Sequence, residues 1–343
     1  KGTILVAYNK LIQSKDYFND FFKNIGIIDC YSSCVTLYNE VNKNYEHKIC
    51  FSKYSNSKKP IINIKNLWHP YLIDTNIVTN SINVGDNSPN NIILTGPNAG
   101  GKSTFIKAIT LNLLFSQSLG LSFAESLEFT PFKLINTYLN IPDCKGKESL
   151  FEAEMHRALD HLNKIKECES ENEFSFVVMD EIFSSTNPEE GISGAYAICE
   201  QLGSNNNSIS LITTHYSYLT KLENDNKFKN YKIPISRDKD NNIEYIYKLE
   251  NGISQQFIAL ELLKKKGFDN SLVCRAQEIC DNLNLTEDKL NNIQKESIKE
   301  EEKETTQEED ESTPVESKQE EEEASTKQEE KESTQEEKES TQE

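Results

Sequence analysis

The stretch IILTGPNAGGKSTFIKAI, residues 92–109, decides the fold. Ile92, Ile93 and Leu94 form a short apolar run that reads as a buried strand. Gly96-Pro97-Asn98-Ala99-Gly100-Gly101-Lys102-Ser103 then satisfies G-x-x-x-x-G-K-[ST] at every fixed position, with Thr104 directly after it. Phe105, Ile106, Ile109 and Leu113 follow at helical spacing. A strand, a glycine-rich turn and a helix N-terminus in that order make an anion site. Glycines let successive backbone N–H groups converge, and the helix dipole favours negative charge at its N-terminus. Lys102 is placed to reach β- and γ-phosphates, and the Ser103 hydroxyl to ligate Mg²⁺. Residues 96–104 are therefore expected to hold ATP with Mg²⁺.

Outward from this stretch, apolar runs alternate with helical spacing. Strands are expected at 91–95, 174–179, 208–213 and 243–248, and helices at 103–119, 149–168, 189–202 and 254–263. A shorter amphipathic helix is expected at 271–283. Such alternation predicts an α/β fold, a mostly parallel sheet with helices on its faces. Residues 1–45 read as helical, with Phe18, Phe21, Phe22, Ile25, Ile28 and Val35 at mostly helical intervals. Short strand-like runs broken by Pro60, Pro70, Gly85 and Pro89 occupy 46–90.

Two further strand ends carry chemistry. FSFVVMDE, residues 174–181, is an apolar strand ending in Asp180 and Glu181. Asp180 is positioned to hold Mg²⁺ opposite Ser103, and Glu181 to orient and deprotonate a water. SLITTHYSYL, residues 210–219, brings His215 to the tip of another strand, where it can sense a γ-phosphate or the attacking water. Each of these also has a plain reading, an acidic turn or an ordinary polar histidine.

The chain has 343 residues and a net charge of −19, of which residues 296–343 hold −15, from 21 acidic side chains against 6 lysines. That segment repeats KESTQE at 331–336 and 338–343 and has almost no apolar residues. It is expected to be a disordered acidic tail, because it cannot bury enough surface to offset ordering entropy. Such a tail either solvates the chain or contacts a basic partner. The 8 cysteines form no C-x-x-C pair and no secretory leader precedes them, which fits reduced thiols in an intracellular protein. No apolar run approaches the roughly 20 residues of a membrane span. The chain opens at Lys1 rather than Met, so sequence upstream of it is expected.

Taken together, these segments resemble the MutS family of DNA mismatch repair ATPases, within the ATP-binding-cassette group. TGPNAGGKST resembles the family's P-loop, with Ala99 where Met is usual. SLFEAEMHRA (149–158), MDEIFSSTNPEEG (179–191) and TTHYSYLTKLE (213–223) are similar to three further family segments. LWHPYL upstream, and YIYKLENGISQQFIALELLKKKGF and CRAQEIC downstream, extend the likeness over most of 25–283. The loop SSTNPEEGISGAY is similar to that of divergent MutS-like proteins of large DNA viruses, while Ser184-Ser185 departs from the family's Arg-Gly pair.

The resemblance implies a P-loop ATPase domain over 49–283, the end of a helical lever domain over 1–48, and a tail over 284–343. It implies a dimer with a second MutS-like subunit, in which Ser149 completes the partner's nucleotide site. Ser149 with Glu152 also fits a helix capping box, and both roles are compatible. Asn80 matches a family asparagine near the nucleotide. The family's adenine-holding aromatic is lost at Ile77, while Tyr247 either stacks on the base or simply packs. Phe123-Ala124-Glu125 mimics a mismatch wedge but follows the loop's helix, inside the ATPase domain. DNA, mismatched or branched, is an expected partner, contacted mostly through domains outside this sequence. The compartment is expected to be the nucleus, the cytoplasm or a viral factory. The alternatives are an ATPase of recombination control or another DNA transaction, and a nucleotide-binding scaffold without turnover. No L-S-G-G-Q signature of transporter or cohesin ATPases is present.

Overall fold

A computed structural model of the chain describes residues 2–73, 76–139, 149–239, 242–254 and 258–281. Two compact units divide at Ala259/Leu260. The first opens with α1 (Gly2–Gln13) and α2 (Lys15–Asn44), broken at Ser14. Four strands follow: β1 (Cys50–Phe51), β2 (Lys53–Tyr54), β3 (Ile61–Leu67) and β4 (Asn80–Gly85). Then come β5 (Asn91–Thr95), α3 (Lys102–Leu119), β6 (Leu121–Ser122), β7 (Ser126–Phe129) and β8 (Leu134–Tyr138). α4 (Leu150–Ser170), β9 (Ser175–Asp180), α5 (Pro188–Gly203) and β10 (Ser208–Thr213) continue the alternation. β11 (Phe228–Lys232), β12 (Ile235–Arg237), β13 (Ile243–Tyr245) and β14 (Glu250–Asn251) complete the unit.

The central sheet has the order β14-β11-β5-β10-β9-β8. Its strands run parallel except β14, which pairs antiparallel at the edge. Every residue of β5 and β10 is buried, which explains their uninterrupted apolar runs: helices or a second sheet cover both faces. Side chains alternate between two cores, as the two-residue strand period demands. Ile92, Leu94, Phe176, Val178, Ile209 and Leu211 face α3 and the four-stranded sheet β2-β7-β3-β4. Ile93, Val177, Met179 and Ile212 face α4 and α5. Each such aliphatic side chain contributes about 1.5–3 kcal/mol on burial.

The expected strands at 91–95, 174–179 and 208–213 are present within one residue, as are the helices at 103–119, 149–168 and 189–202 within two. The strand expected at 243–248 is corrected. Only Ile243–Tyr245 is extended, and it pairs antiparallel with β12 in a separate ribbon. The strand that flanks β5 on the side away from β10 is instead β11, whose sequence FKNYK hides its role because Asn230 and two lysines interrupt the apolar pattern. The helix expected at 254–263 begins later, at Ala259, after non-helical, buried Ile258. Residues 255–257 lie outside the described residues, as do the end of the helix expected at 271–283 and the whole tail at 284–343.

α1 buries no residue and α2 buries only Val41. Val41 packs with Ile49, Trp68, Leu121 and Phe123 in a small third core. α6 (Ala259–Lys265) starts at the boundary of the second unit and is closed off by Gly267, whose φ of 89° lets Phe268 N–H return to Leu263 O at 3.2 Å. A helix over 270–281 follows. Among the described residues no helix is long and apolar enough to cross a membrane.

Candidate functional site

The sheet register assembles the site. Thr213 on β10 lies opposite Leu94 on β5 and opposite Asp180 on β9. The carboxyl ends of three parallel strands therefore finish side by side, where clefts form in open α/β sheets. Gly96, Glu181 and His215 each lie just past one of those ends.

The glycine-rich loop is shaped by close approaches. A Cβ on Gly96 would stand 2.8 Å from Ile233 O, and one on Gly101 would stand 3.0 Å from Tyr247 Cδ1. Gly101 caps the N-terminus of α3 with a φ of 100°. Lys102, at 4% exposure, donates from Nζ to Gly96 O at 3.0 Å and Pro97 O at 3.3 Å. Burial lowers its pKa, and the charges of Glu181 and Asp180 oppose that shift.

Glu181 and His215 face this lysine. His215 Nε2 lies 2.8 Å from Glu181 Oε1 and 3.3 Å from Lys102 Nζ, while Lys102 Nζ is 3.7 Å from Glu181 Oε1. An Nε2–H tautomer donates to the carboxylate and leaves the lysine's protons for the two loop carbonyls. The His215 hydrogen bond is the main cause that holds Glu181 below the ordinary glutamate range, reinforced by Lys102. Thr213, which the sequence reading left without a role, organises the acidic pair. Its Oγ1 donates to Asp180 Oδ1 at 2.5 Å and accepts from Glu181 N at 3.0 Å. The T-T-H run at 213–215 was its only sequence signal.

Beside the loop lies a cleft of about 540 Å³, within the usual range of small-molecule sites. Asn98, Ala99, Gly100, Gly101, Lys102, Ser103, Thr104 and Glu181 line its polar side. Trp68, Leu72, Ile77 and Val78 give it an apolar lining, and Asn80 and Tyr247 also line it. The buried Asn80 amide works on the backbone: Nδ2 donates to Tyr247 O at 3.0 Å and Oδ1 accepts from Leu249 N at 2.8 Å. Asn80 thereby holds the segment that carries Tyr247, which has a φ of 52° and a ring stacked on Tyr245. Trp68 and Leu72 fall in the LWHPYL segment, which carried a likeness but no role, and Val78 had no signal, because cleft-lining and core-forming apolar residues look alike. Ser149 lies outside the cleft lining and caps α4 in a complete capping box with Glu152.

Fold and site define a class: an α/β protein whose parallel sheet brings a glycine-rich loop, an acidic strand end and a histidine together beside a cleft that the loop and Glu181 line. Within that class the chain belongs to the MutS family. Residues 92–284 match the family model described as MutS domain V. The chain is 29% identical over 285 residues to "DNA mismatch repair protein MutS" of Clostridium tetani, covering 80% of this chain and 30% of that protein. It is 32% identical over 222 residues to the protein of the same name from Persephonella marina, covering 64% and 25%. It is 30% identical over 250 residues to "Endonuclease MutS2" of Clostridioides difficile, covering 69% and 29%. The chain thus spans less than a third of the length of these relatives.

Proposed function

We propose that residues 49–283 are a Mg²⁺-dependent ATPase domain of the P-loop, ATP-binding-cassette type, and that residues 1–48 are the end of a lever. The convergence of Lys102, Glu181 and His215 beside the glycine-rich loop carries this reading. Backbone N–H groups of 98–104 cradle the phosphates, and Lys102 turns from the Gly96 and Pro97 carbonyls to phosphate oxygens. The Ser103 hydroxyl and Asp180 carboxylate are hard oxygen donors that suit Mg²⁺. Among the described residues no group of three or more His, Cys, Asp or Glu could hold a metal; Ser103 and Asp180 are the residues that would hold Mg²⁺ when it arrives with the nucleotide. Bound there, Mg²⁺ neutralises phosphate charge. Glu181, kept ionised by His215, orients the attacking water and accepts its proton, while His215 senses the γ-phosphate side. Tyr247 and the apolar wall receive the base, and Asn80 holds Tyr247 in place.

Two such domains pair, with Ser149 of each completing the other's site, and closure drives the lever on DNA. This makes the chain part of a mismatch repair protein that works with a second MutS-like subunit. The similarity to a protein named an endonuclease MutS2 favours one second reading: the same ATPase serving a DNA transaction without mismatch recognition. The test is light scattering and ATPase assay on Glu181→Ala. It should bind ATP, lose turnover, and pass from monomer to dimer with ATP and Mg²⁺. Undiminished hydrolysis would remove Glu181 from its role, and an unchanged monomer would remove the nucleotide-closed dimer.

A further inference from the structure

Glu154 is a buried carboxylate, 5% exposed, that the nucleotide chemistry leaves unused. It lies on α4, five residues after the Ser149 cap. Ser185, in the turn that follows Glu181, donates its Oγ–H to Glu154 Oε2 at 2.8 Å. Burial pushes the Glu154 pKa up, and the Ser185 hydroxyl and backbone, followed by the Tyr138 hydroxyl, draw it back, so these neighbours, Ser185 first, make a carboxylate tolerable at this depth.

The turn needs holding. Glu181 and Phe183 both have positive φ, 56° and 55°, although neither is glycine. Residues with a Cβ keep such angles only where their surroundings enforce them. Thr213 holds the start of the turn through Glu181 N. The Phe183 carbonyl accepts from Tyr216 Oη at 2.8 Å, and its ring packs edge-on against Phe151 of α4, centroids 5.4 Å apart. Phe151 and Glu154 are three residues apart on one helix face. The turn is therefore pinned at two points, 183 and 185, to the N-terminal part of α4.

We propose that Glu154, acting through Ser185, is a positioning residue: it locks the Glu181 turn to the N-terminal part of α4, so that the two move as one body. The proposal rests on the ATPase reading for its kinetic consequence. A displacement at the Ser149 end of α4 is then felt at Glu181, and loosening the lock misplaces the carboxylate without altering the loop that binds the nucleotide. Such misplacement lowers kcat and spares KM.

The test uses the full chain with Ser185→Ala, Ser185→Thr, Glu154→Ala and Glu154→Gln. Steady-state ATPase kinetics and backbone hydrogen exchange are read for each. The two alanine variants should lose about tenfold or more in kcat, with KM for ATP within about twofold. Thr retains the hydroxyl and Gln an acceptor oxygen, so both should recover to within about threefold of the parent. Exchange in 182–187 should speed up in Ser185→Ala while α3 and the central strands keep their protection. Parental kcat in the alanine variants, a loss confined to KM, or no recovery by Thr and Gln would overturn the proposal. If Glu154→Ala fails to fold, exposed Ser185 carries the test. If the unaltered chain shows no turnover, the ATPase reading fails separately; unchanged exchange in Ser185→Ala then overturns the lock.

Discussion

Gly101 combines a left-handed φ of 100° with a clearance of 3.0 Å between a built Cβ and the Tyr247 ring. Gly101→Ala should therefore cost about 1–2 kcal/mol in urea unfolding and weaken ATP binding by about tenfold or more. Parental values for both would remove the steric account of this position. Glu181 makes a second residue-scale prediction. Its folded pKa lies below its ordinary value of 4.5, with the His215 hydrogen bond as first cause. The stabilisation from that shift is fully present above about pH 4.5 and is lost as pH falls through the lower folded value. In His215→Ala the Glu181 midpoint should move up toward 4.5, read by carboxyl-carbon NMR titration. An unmoved midpoint would mean that Lys102 alone sets it. Lys102 and Ser103 were legible in the sequence because the glycine-rich motif fixes their spacing, and Asp180 and Glu181 because they close a largely apolar strand. The partners of Asn80 were not, since they lie 167 and 169 residues away.

At the scale of elements, α3 depends on Asn112, which is fully buried. Its Nδ2 donates to Trp68 O and Ala108 O, and its Oδ1 accepts from Ser122 Oγ and Phe123 N. The amide thus ties the helix that starts at Lys102 to the strands beside it. Asn112→Ala leaves buried groups unpaired and should cost about 2–4 kcal/mol in urea unfolding. A change near zero would show that water replaces the amide. α4 offers a separation of roles at Ser149. Ser149→Ala should lose about 1 kcal/mol of cap energy, and Ser149→Asp should restore it. If Ser149 also acts on a partner's nucleotide, Ser149→Asp remains slow in the ATPase assay despite its recovered stability. Full activity in Ser149→Asp would leave the residue as a cap alone.

Across the whole molecule, the two large cores flank the central sheet, and α1 with most of α2 stands apart from both. Of residues 2–33 only Ser14 is even half-buried, and Ile4, Phe22 and Ile28 are each more than 60% exposed. Removing residues 1–33 should therefore shift the melting temperature by no more than about 2–4 °C, measured by calorimetry. A larger drop would show that these helices are integral to the fold. The sequence alone determined the α/β alternation, the parallel sheet, the phosphate-type loop and the acidic strand end, because each is written in contiguous residues with a fixed period or spacing. It misplaced 243–248 and missed β8 and β11, whose edge or polar positions weaken the apolar pattern that marks a strand. Only the tertiary structure decided that Thr213 organises Asp180 and Glu181, that Asn80 holds Tyr247, and that Glu154 reaches Ser185. Those contacts depend on strand register and helix placement, which are set by the packing of the whole core and not by any local run of residues.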